Sequence, residues 1–128
     1  WLAPQAADVA QGILTAHPDL DVIWAANEGG TVGAVTAVRS TGRAGRVVVF
    51  GTDMSEQIGG FLLAEDGILQ AVTGQKPMEI GGRAVEAAVK SLRGEPVERQ
   101  VSLPGVLFTR DRPEEVRRHR EQLRGIGR

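Results

Sequence analysis

The stretch covering residues 46–77 constrains the fold most, because it contains two short apolar runs separated by a helical pattern. The first run, residues 47–50, predicts a strand buried on both faces, and Gly51 ends it. Apolar residues then recur at helical spacing over residues 55–64, before a second apolar run at residues 68–72. This order predicts two parallel strands joined by a helix.

The remainder of the chain extends this alternation. The patterns predict helices over residues 4–16, 31–39 and 77–92, and strands over residues 21–26, 101–103 and 106–109. Helices and strands that alternate in this way predict an α/β fold of three layers, with a mainly parallel sheet between helices.

A charged segment, residues 110–128, closes the chain and predicts a helix. It contains four arginines that we expect to pair with glutamates of the same segment, Glu114, Glu115 and Glu121. The arginines are Arg117, Arg118, Arg120 and Arg124. The alternative is that they bind a phosphate or an acidic partner.

Composition narrows the classes of function. A chain of 128 residues predicts a single domain, and a net charge of −1 argues against a nucleic-acid partner. The chain has no cysteine, so disulfides and thiolate metal sites are excluded. Its two histidines, His17 and His119, are far apart in sequence, so we expect no metal site. The sequence predicts no membrane span and no signal segment.

Polar residues follow the ends of three predicted strands. Asn27, Asp53 and Gln75 each come just after such an end, and parallel strands bring their carboxyl ends to one edge of the sheet. Together they offer amide donors and acceptors and one carboxylate acceptor, with no nucleophile paired to a base. This set suits a neutral polyhydroxylated ligand, so we expect ligand binding without catalysis and without a cofactor.

Each of these residues also has a structural interpretation. Asp53 could cap the helix that follows it, with Glu56 completing a capping box. Asn27 could be an ordinary turn residue, and Gln75 could lie in an exposed loop. Trp24, inside a predicted strand, is expected in the core.

A glycine-rich turn raises the possibility of phosphate binding. Gly29-Gly30-Thr31-Val32-Gly33 follows a strand and opens a helix, as phosphate-binding turns do. It lacks the spacing of a dinucleotide fingerprint, and no P-loop lysine follows. Nucleotide binding is therefore the weaker interpretation.

Four segments carry a resemblance to a known family. They are residues 14–28 (LTAHPDLDVIWAANE), 47–53 (VVVFGTD), 66–75 (DGILQAVTGQ) and 80–90 (IGGRAVEAAVK). In order and spacing they resemble the C-terminal lobe of type I periplasmic sugar-binding proteins, the ribose- and galactose-binding receptors of ATP-driven importers. The resemblance implies a partial domain, with the lobe at residues 1–109 and a charged tail at 110–128.

The resemblance also implies a function. Asn27, Asp53 and Gln75 fall on positions that hydrogen-bond the sugar in that family, where a monosaccharide or similar polyol is captured between two lobes. The implied partners are this sugar and a membrane permease, and the implied location is extracytoplasmic. The alternatives are the effector lobe of a lactose-repressor-type regulator, or a nucleotide-binding Rossmann or flavodoxin-like enzyme fragment.

The resemblance further implies that the first lobe and the opening strands of the second lie outside this chain. An edge strand without its neighbour is a template for pairing. Residues 101–109 would also have no partner within the chain. We therefore expect the isolated chain to form a homo-oligomer.

Overall fold

The computed structural model describes residues 2–126 and confirms the α/β class with a mainly parallel sheet. Five helices and four strands alternate along these described residues. In order they are α1 Ala3–Ala16, β1 Val22–Trp24, α2 Glu28–Ser40, β2 Val48–Thr52, α3 Glu56–Leu62, β3 Leu69–Gly74, α4 Pro77–Leu92, β4 Val106–Thr109 and α5 Pro113–Ile126. The predicted strand at residues 101–103 is wrong, because these residues have no strand pairing.

The chain forms two compact units. The first comprises residues 2–74 and 107–126, and the second is Gln75–Val106. The first unit holds β1 to β3, β4 from Leu107 onward and four of the helices, and the second holds α4 with the irregular segment after it.

The sheet has the strand order β1-β2-β3-β4. Strand β2 runs parallel to both β1 and β3, with Thr52 in register with Thr73. The end of β4 is held against β3 by the Arg110 N–H, which donates to the Gln70 carbonyl at 2.9 Å. The expectation that residues 101–109 lack a partner in the chain is therefore wrong for β4.

One hydrophobic core organises the first unit. Helices α1, α2, α3 and α5 contribute to it together with β2, β3 and β4 and their flanking residues. Its completely buried side chains include Leu14, Val35, Val38, Val49, Ile58, Leu69 and Val116. Because helix and strand patterns each place apolar residues on one side, this core follows directly from the sequence.

The prediction that β2 is buried on both faces is wrong, and so is the prediction that Trp24 of β1 lies in the core. Trp24 is 68% exposed and Phe50 is 38% exposed. The two residues are register partners, so their side chains share one face. Strand residues alternate between faces, so Phe50 lies opposite the buried Val49, on the side away from the core. Trp24 is therefore not a core residue.

The tail helix pairs differently from the prediction. Arg117 does bond Glu114 within α5, but Arg124 and Arg120 both reach Glu56 in α3. The hydrogen bond from Arg124 lowers the pKa of Glu56. The salt bridges between α5 and α3 arise because the two helices pack together: a Cβ added at Gly59 would lie 2.6 Å from the Arg120 Cδ.

Helix α4 has the bounds that the sequence predicts. Pro77 stands in its first turn, and Gly94, with a φ of 72°, follows its end. The helix is amphipathic, yet none of its residues is buried. Lys90 donates to Glu86 at 2.8 Å on its surface.

The described part of the chain contains neither a candidate membrane-spanning helix nor a candidate metal site. Among residues 2–126, no helix has both the length and the apolar content needed to cross a bilayer. The same residues contain no group of three or more histidine, cysteine or acidic side chains placed to hold a metal ion.

Asp66 joins α2 to the turn before β3. Its carboxylate accepts from the Arg39 Nε at 2.9 Å and from the Ile68 N–H at 3.3 Å. Burial works to raise the Asp66 pKa, but the bonds from Arg39 and Ile68 and the charges of Arg39 and Arg110 outweigh it, so the pKa lies below its ordinary value.

We expect this interaction to make stability depend on pH. A lowered folded-state pKa means that the Asp66 contribution is complete above the unfolded pKa of about 4 and is lost as pH falls through the folded value. At pH 7, Asp66→Asn should lower the free energy of unfolding by about 1 kcal/mol, a modest value because Arg39 is half exposed. Urea unfolding of both proteins at several pH values measures the difference.

The same measurements on Glu65→Gln serve as the control, since Glu65 is an exposed neighbouring carboxylate. The free energies of unfolding of the parent and of Asp66→Asn should converge as the pH falls below about 4. A difference that stays constant across the pH range contradicts the assignment.

Candidate functional site

Asn27 lies between the end of β1 and the start of α2, where it is the N-cap residue. Its backbone is extended, and its Oδ1 accepts a hydrogen bond from the Gly30 N–H at 2.7 Å. The side chain is half-buried. Capping uses the amide oxygen, so the Nδ2 donors are the chemical groups that Asn27 offers to a ligand.

Asp53 follows β2 directly and has a left-handed backbone, with a φ of 71°. Its N–H donates to the Thr73 carbonyl at 2.8 Å, which continues the pairing between β2 and β3. Its Oδ2 accepts from the Glu28 N–H at 3.0 Å. The carboxylate therefore caps α2, the helix that precedes β2 in the chain.

The alternative in which Asp53 and Glu56 form a capping box on α3 is wrong. Ser55 is the N-cap of α3, and its Oγ accepts from the Ile58 N–H at 3.3 Å. The alternative for Asn27 as an ordinary turn residue is too weak a description, because the residue caps a helix.

Asn27 and Asp53 are brought together at the N-terminus of α2. Glu28, whose N–H binds the Asp53 carboxylate, is the residue directly after Asn27. The carboxylate is favourable there, since the first turn of a helix carries partial positive charge. The result is an amide and a carboxylate side by side at the carboxyl edge of the sheet.

Gln75 directly follows Gly74, the last residue of β3. It is exposed and is the first residue of the second unit. Its place in a shared site stays a prediction.

N–H groups at the glycine-rich turn already donate to acceptors of the protein itself. The Glu28 N–H binds Asp53, and the Gly30 N–H binds Asn27. Both belong to the set of N–H groups that would hold a phosphate at a helix N-terminus. The carboxylate would also repel an anion there, so the geometry favours a neutral ligand.

Thr31 is a residue of this site that the sequence reasoning missed. It lies in the first turn of α2 and is completely buried, and its Oγ1 contacts Asn27 and Thr52. The available signal was a hydroxyl four residues after Asn27, on the face of the helix whose other buried residues are glycine, alanine and valine.

The stabilities of three variants should distinguish the cap that Asp53 places on α2 from its left-handed backbone. Asp53→Ala removes the cap on α2 and places alanine in a left-handed conformation, so it should destabilise by about 1–3 kcal/mol. Asp53→Asn should be near neutral, because asparagine tolerates this conformation and keeps an acceptor oxygen. Asp53→Gly should fall between them. Thermal and urea unfolding give the order, and equal losses for all three would contradict it.

Comparison with known proteins places this geometry in a family. A family model described as a periplasmic binding protein domain matches residues 1–96. The ribose import binding protein RbsB of Salmonella typhimurium is 39% identical over 105 residues, which cover 76% of this chain and 34% of that protein.

Solved structures show the same architecture. An ABC transporter periplasmic solute binding protein from Actinobacillus succinogenes 130z, solved with bound D-allose, matches with a TM-score of 0.81 and 30% identity. The match covers 90% of this chain and 40% of that one. The arabinose transporter component from Shewanella sp. ANA-3 has a TM-score of 0.84 over 98% of this chain and 43% of its own, and at 23% identity it shows the fold alone.

These matches cover only part of each related protein. The chain spans about a third of the length of the curated relatives it matches. The resemblance to periplasmic sugar-binding proteins is confirmed by the family model and by these relatives. Since the family model matches most of its length, the chain belongs to the periplasmic binding protein domain family.

Proposed function

We propose that this chain is a sugar-binding lobe of the solute-binding component of an ABC-type importer. In this proposal Asn27, Asp53 and Gln75 bind a monosaccharide or a similar polyol. The observation that carries it is that the Asn27 amide and the Asp53 carboxylate both cap the start of α2, at the carboxyl edge of the sheet. Support comes from the 39% identity to a ribose import binding protein.

The chemistry of the pair suits adjacent hydroxyl groups. The two oxygens of a carboxylate can accept from neighbouring sugar hydroxyls, and in this proposal Asp53 does so while its Oδ2 still accepts from the Glu28 N–H. The Asn27 Nδ2 donates to a hydroxyl or ring oxygen. Both side chains are half-buried, which strengthens such bonds relative to those in bulk water.

The proposed role is capture and delivery, without catalysis. The protein would close around the sugar with a second lobe and pass it to a membrane permease outside the cytoplasm. Sugar binding alone suffices for this role, and in this proposal the Asn27 amide and the Asp53 carboxylate provide the binding groups.

A ligand screen on the full-length protein tests the function as a whole. We expect monosaccharides or sugar alcohols to raise its melting temperature, since a ligand that binds only the folded state stabilises it. Nucleotides are the comparison set. Stabilisation by a nucleotide and by no sugar would favour the nucleotide-binding alternative and contradict the proposal.

The Asp53 carboxylate should dominate the affinity. In the full-length protein, Asp53→Ala should weaken sugar binding by about 2–4 kcal/mol, because the hydroxyls lose a charged acceptor. Asp53→Asn should weaken it while leaving stability near that of the parent. Calorimetry measures both affinities.

Asp66→Asn is the matched control, since it neutralises another aspartate of the same unit that bonds Arg39 and Ile68 instead. It should leave the affinity unchanged. Unchanged affinity in both Asp53 variants would leave this residue as a helix cap only.

The lobe alone should bind weakly. A receptor with a micromolar dissociation constant has about 8 kcal/mol of binding free energy, and half of that corresponds to millimolar binding. We therefore expect residues 1–128 to bind any monosaccharide no more tightly than about millimolar, as measured by NMR titration. Micromolar binding by this chain would show that no second lobe is required.

A further inference from the structure

Thr31 is completely buried, and its hydroxyl sits where three segments meet. Its Oγ1 donates to the Asn27 carbonyl at 2.8 Å, one turn back in α2. On the other side it accepts from the Thr52 N–H at 3.4 Å and lies 3.3 Å from the Thr52 carbonyl. Thr52 is the last residue of β2 and directly precedes Asp53.

The Thr31 hydroxyl accepts from the next strand N–H after the backbone pairing of β1 with β2 ends. The Ala25 N–H still donates to the Phe50 carbonyl at 2.9 Å, just after the end of β1. At Thr52 the N–H bonds to Thr31 instead, while the Thr52 Oγ1 donates to the Ala25 carbonyl at 3.1 Å. Beyond the last backbone bond between β1 and β2, the hydroxyls of Thr31 and Thr52 therefore provide the hydrogen bonds.

The surrounding packing fixes the position of Thr31. A Cβ added at Gly51 would lie 2.4 Å from the Thr31 Oγ1 and 2.5 Å from its Cγ2. These distances are far inside van der Waals contact, so α2 and β2 can approach this closely only because residue 51 is glycine. The threonine is held between its own helix and the strand.

We propose that Thr31 is a positioning residue of the binding site: its hydroxyl joins the start of α2 to the end of β2 and sets where the Asn27 amide and the Asp53 carboxylate lie relative to each other. The inference rests on the proposed function of those two residues. Thr31 is bonded to Asn27 itself and to the residue before Asp53, so a change at its hydroxyl reaches both.

A purely structural role predicts different results. If the hydroxyl only satisfies buried polar groups, its removal lowers stability and leaves the site geometry of the folded protein unchanged. If it positions Asp53, its removal also alters the contact between the Asp53 carboxylate and the Glu28 N–H and weakens sugar binding.

The first measurement is sugar affinity in the full-length protein, at a temperature where all variants are folded. Thr31→Val keeps the shape and removes the hydroxyl, and it should weaken binding by about fivefold, the effect of one misplaced hydrogen bond. Thr31→Ser keeps the hydroxyl and should bind within about twofold of the parent. In an Asp53→Asn background, Thr31→Val should cause a smaller further loss, because the charged acceptor that it positions is already absent and mainly the Asn27 amide remains to be displaced.

Thr36→Val is the matched control. Thr36 lies on the same helix and its Oγ1 also donates one turn back, to the Val32 carbonyl at 2.8 Å, but it is exposed. The substitution removes the same type of bond away from β2, so the affinity should not change.

The second measurement needs no ligand. Amide hydrogen exchange at the Glu28 N–H reports directly on its bond to Asp53. Exchange there should be faster in Thr31→Val than in the parent, and unchanged in Thr31→Ser and Thr36→Val.

Each outcome decides the proposal. Thr31→Val with unchanged affinity and unchanged Glu28 exchange, and only a lower melting temperature, overturns it. A full additional loss in the Asp53→Asn background also overturns it. If the parent binds no sugar, the proposed function fails on its own, and Glu28 exchange alone decides whether Thr31 positions Asp53.

Discussion

The close approach of α2 to its two neighbours is the constraint on which the rest of the first unit depends. On one side α2 meets α1 at Gly33, where an added Cβ would lie 2.5 Å from the Ala6 Cβ and 2.7 Å from the Ala7 backbone nitrogen. On the other side it meets β2, where Thr31 leaves no room for a side chain at Gly51. The helix is thereby fixed against both a helix and a strand, through positions where only the smallest residue fits. The N-terminus of α2 is held at the edge of the sheet as a result.

The position of that N-terminus determines the chemistry of the edge. Two of its N–H groups are taken by the Asn27 amide oxygen and the Asp53 carboxylate. In phosphate-binding folds such groups are left for the ligand. Here they hold the protein's own polar side chains in place, which presents a preformed amide and carboxylate to the solvent. In the proposed function, this use of the helix end disfavours an anion and favours a neutral, hydroxyl-rich ligand.

Much of the fold could be predicted because local signals agree with the packing. Helix α4 has the predicted bounds because Pro77 and Gly94 define both of its ends. Helix α2 begins three residues before the prediction, since two glycines with poor helix propensity are stabilised there by caps from Asn27 and from a distant Asp53. That second cap, like the salt bridges from α5 to Glu56, joins residues far apart in sequence, and spacing alone cannot indicate such a pair. The exposure of Trp24 was missed for a related reason: an apolar strand residue does not specify which face of the sheet is covered.

Asp53 explains why a structural and a binding role can coincide in one residue of the proposed site. The left-handed backbone ends the extended course of β2, while the N–H still pairs with Thr73, so the strand stops without losing its last bond. The carboxylate reaches α2 and accepts from the Glu28 N–H in the first turn of that helix. Aspartate is suited to this conformation because its short polar side chain tolerates the left-handed region better than most residues do. Backbone strain of this kind persists only where neighbouring structure enforces it. The bonds at Glu28 and Thr73 provide that enforcement, so the residue that ends β2 is also the one that caps α2.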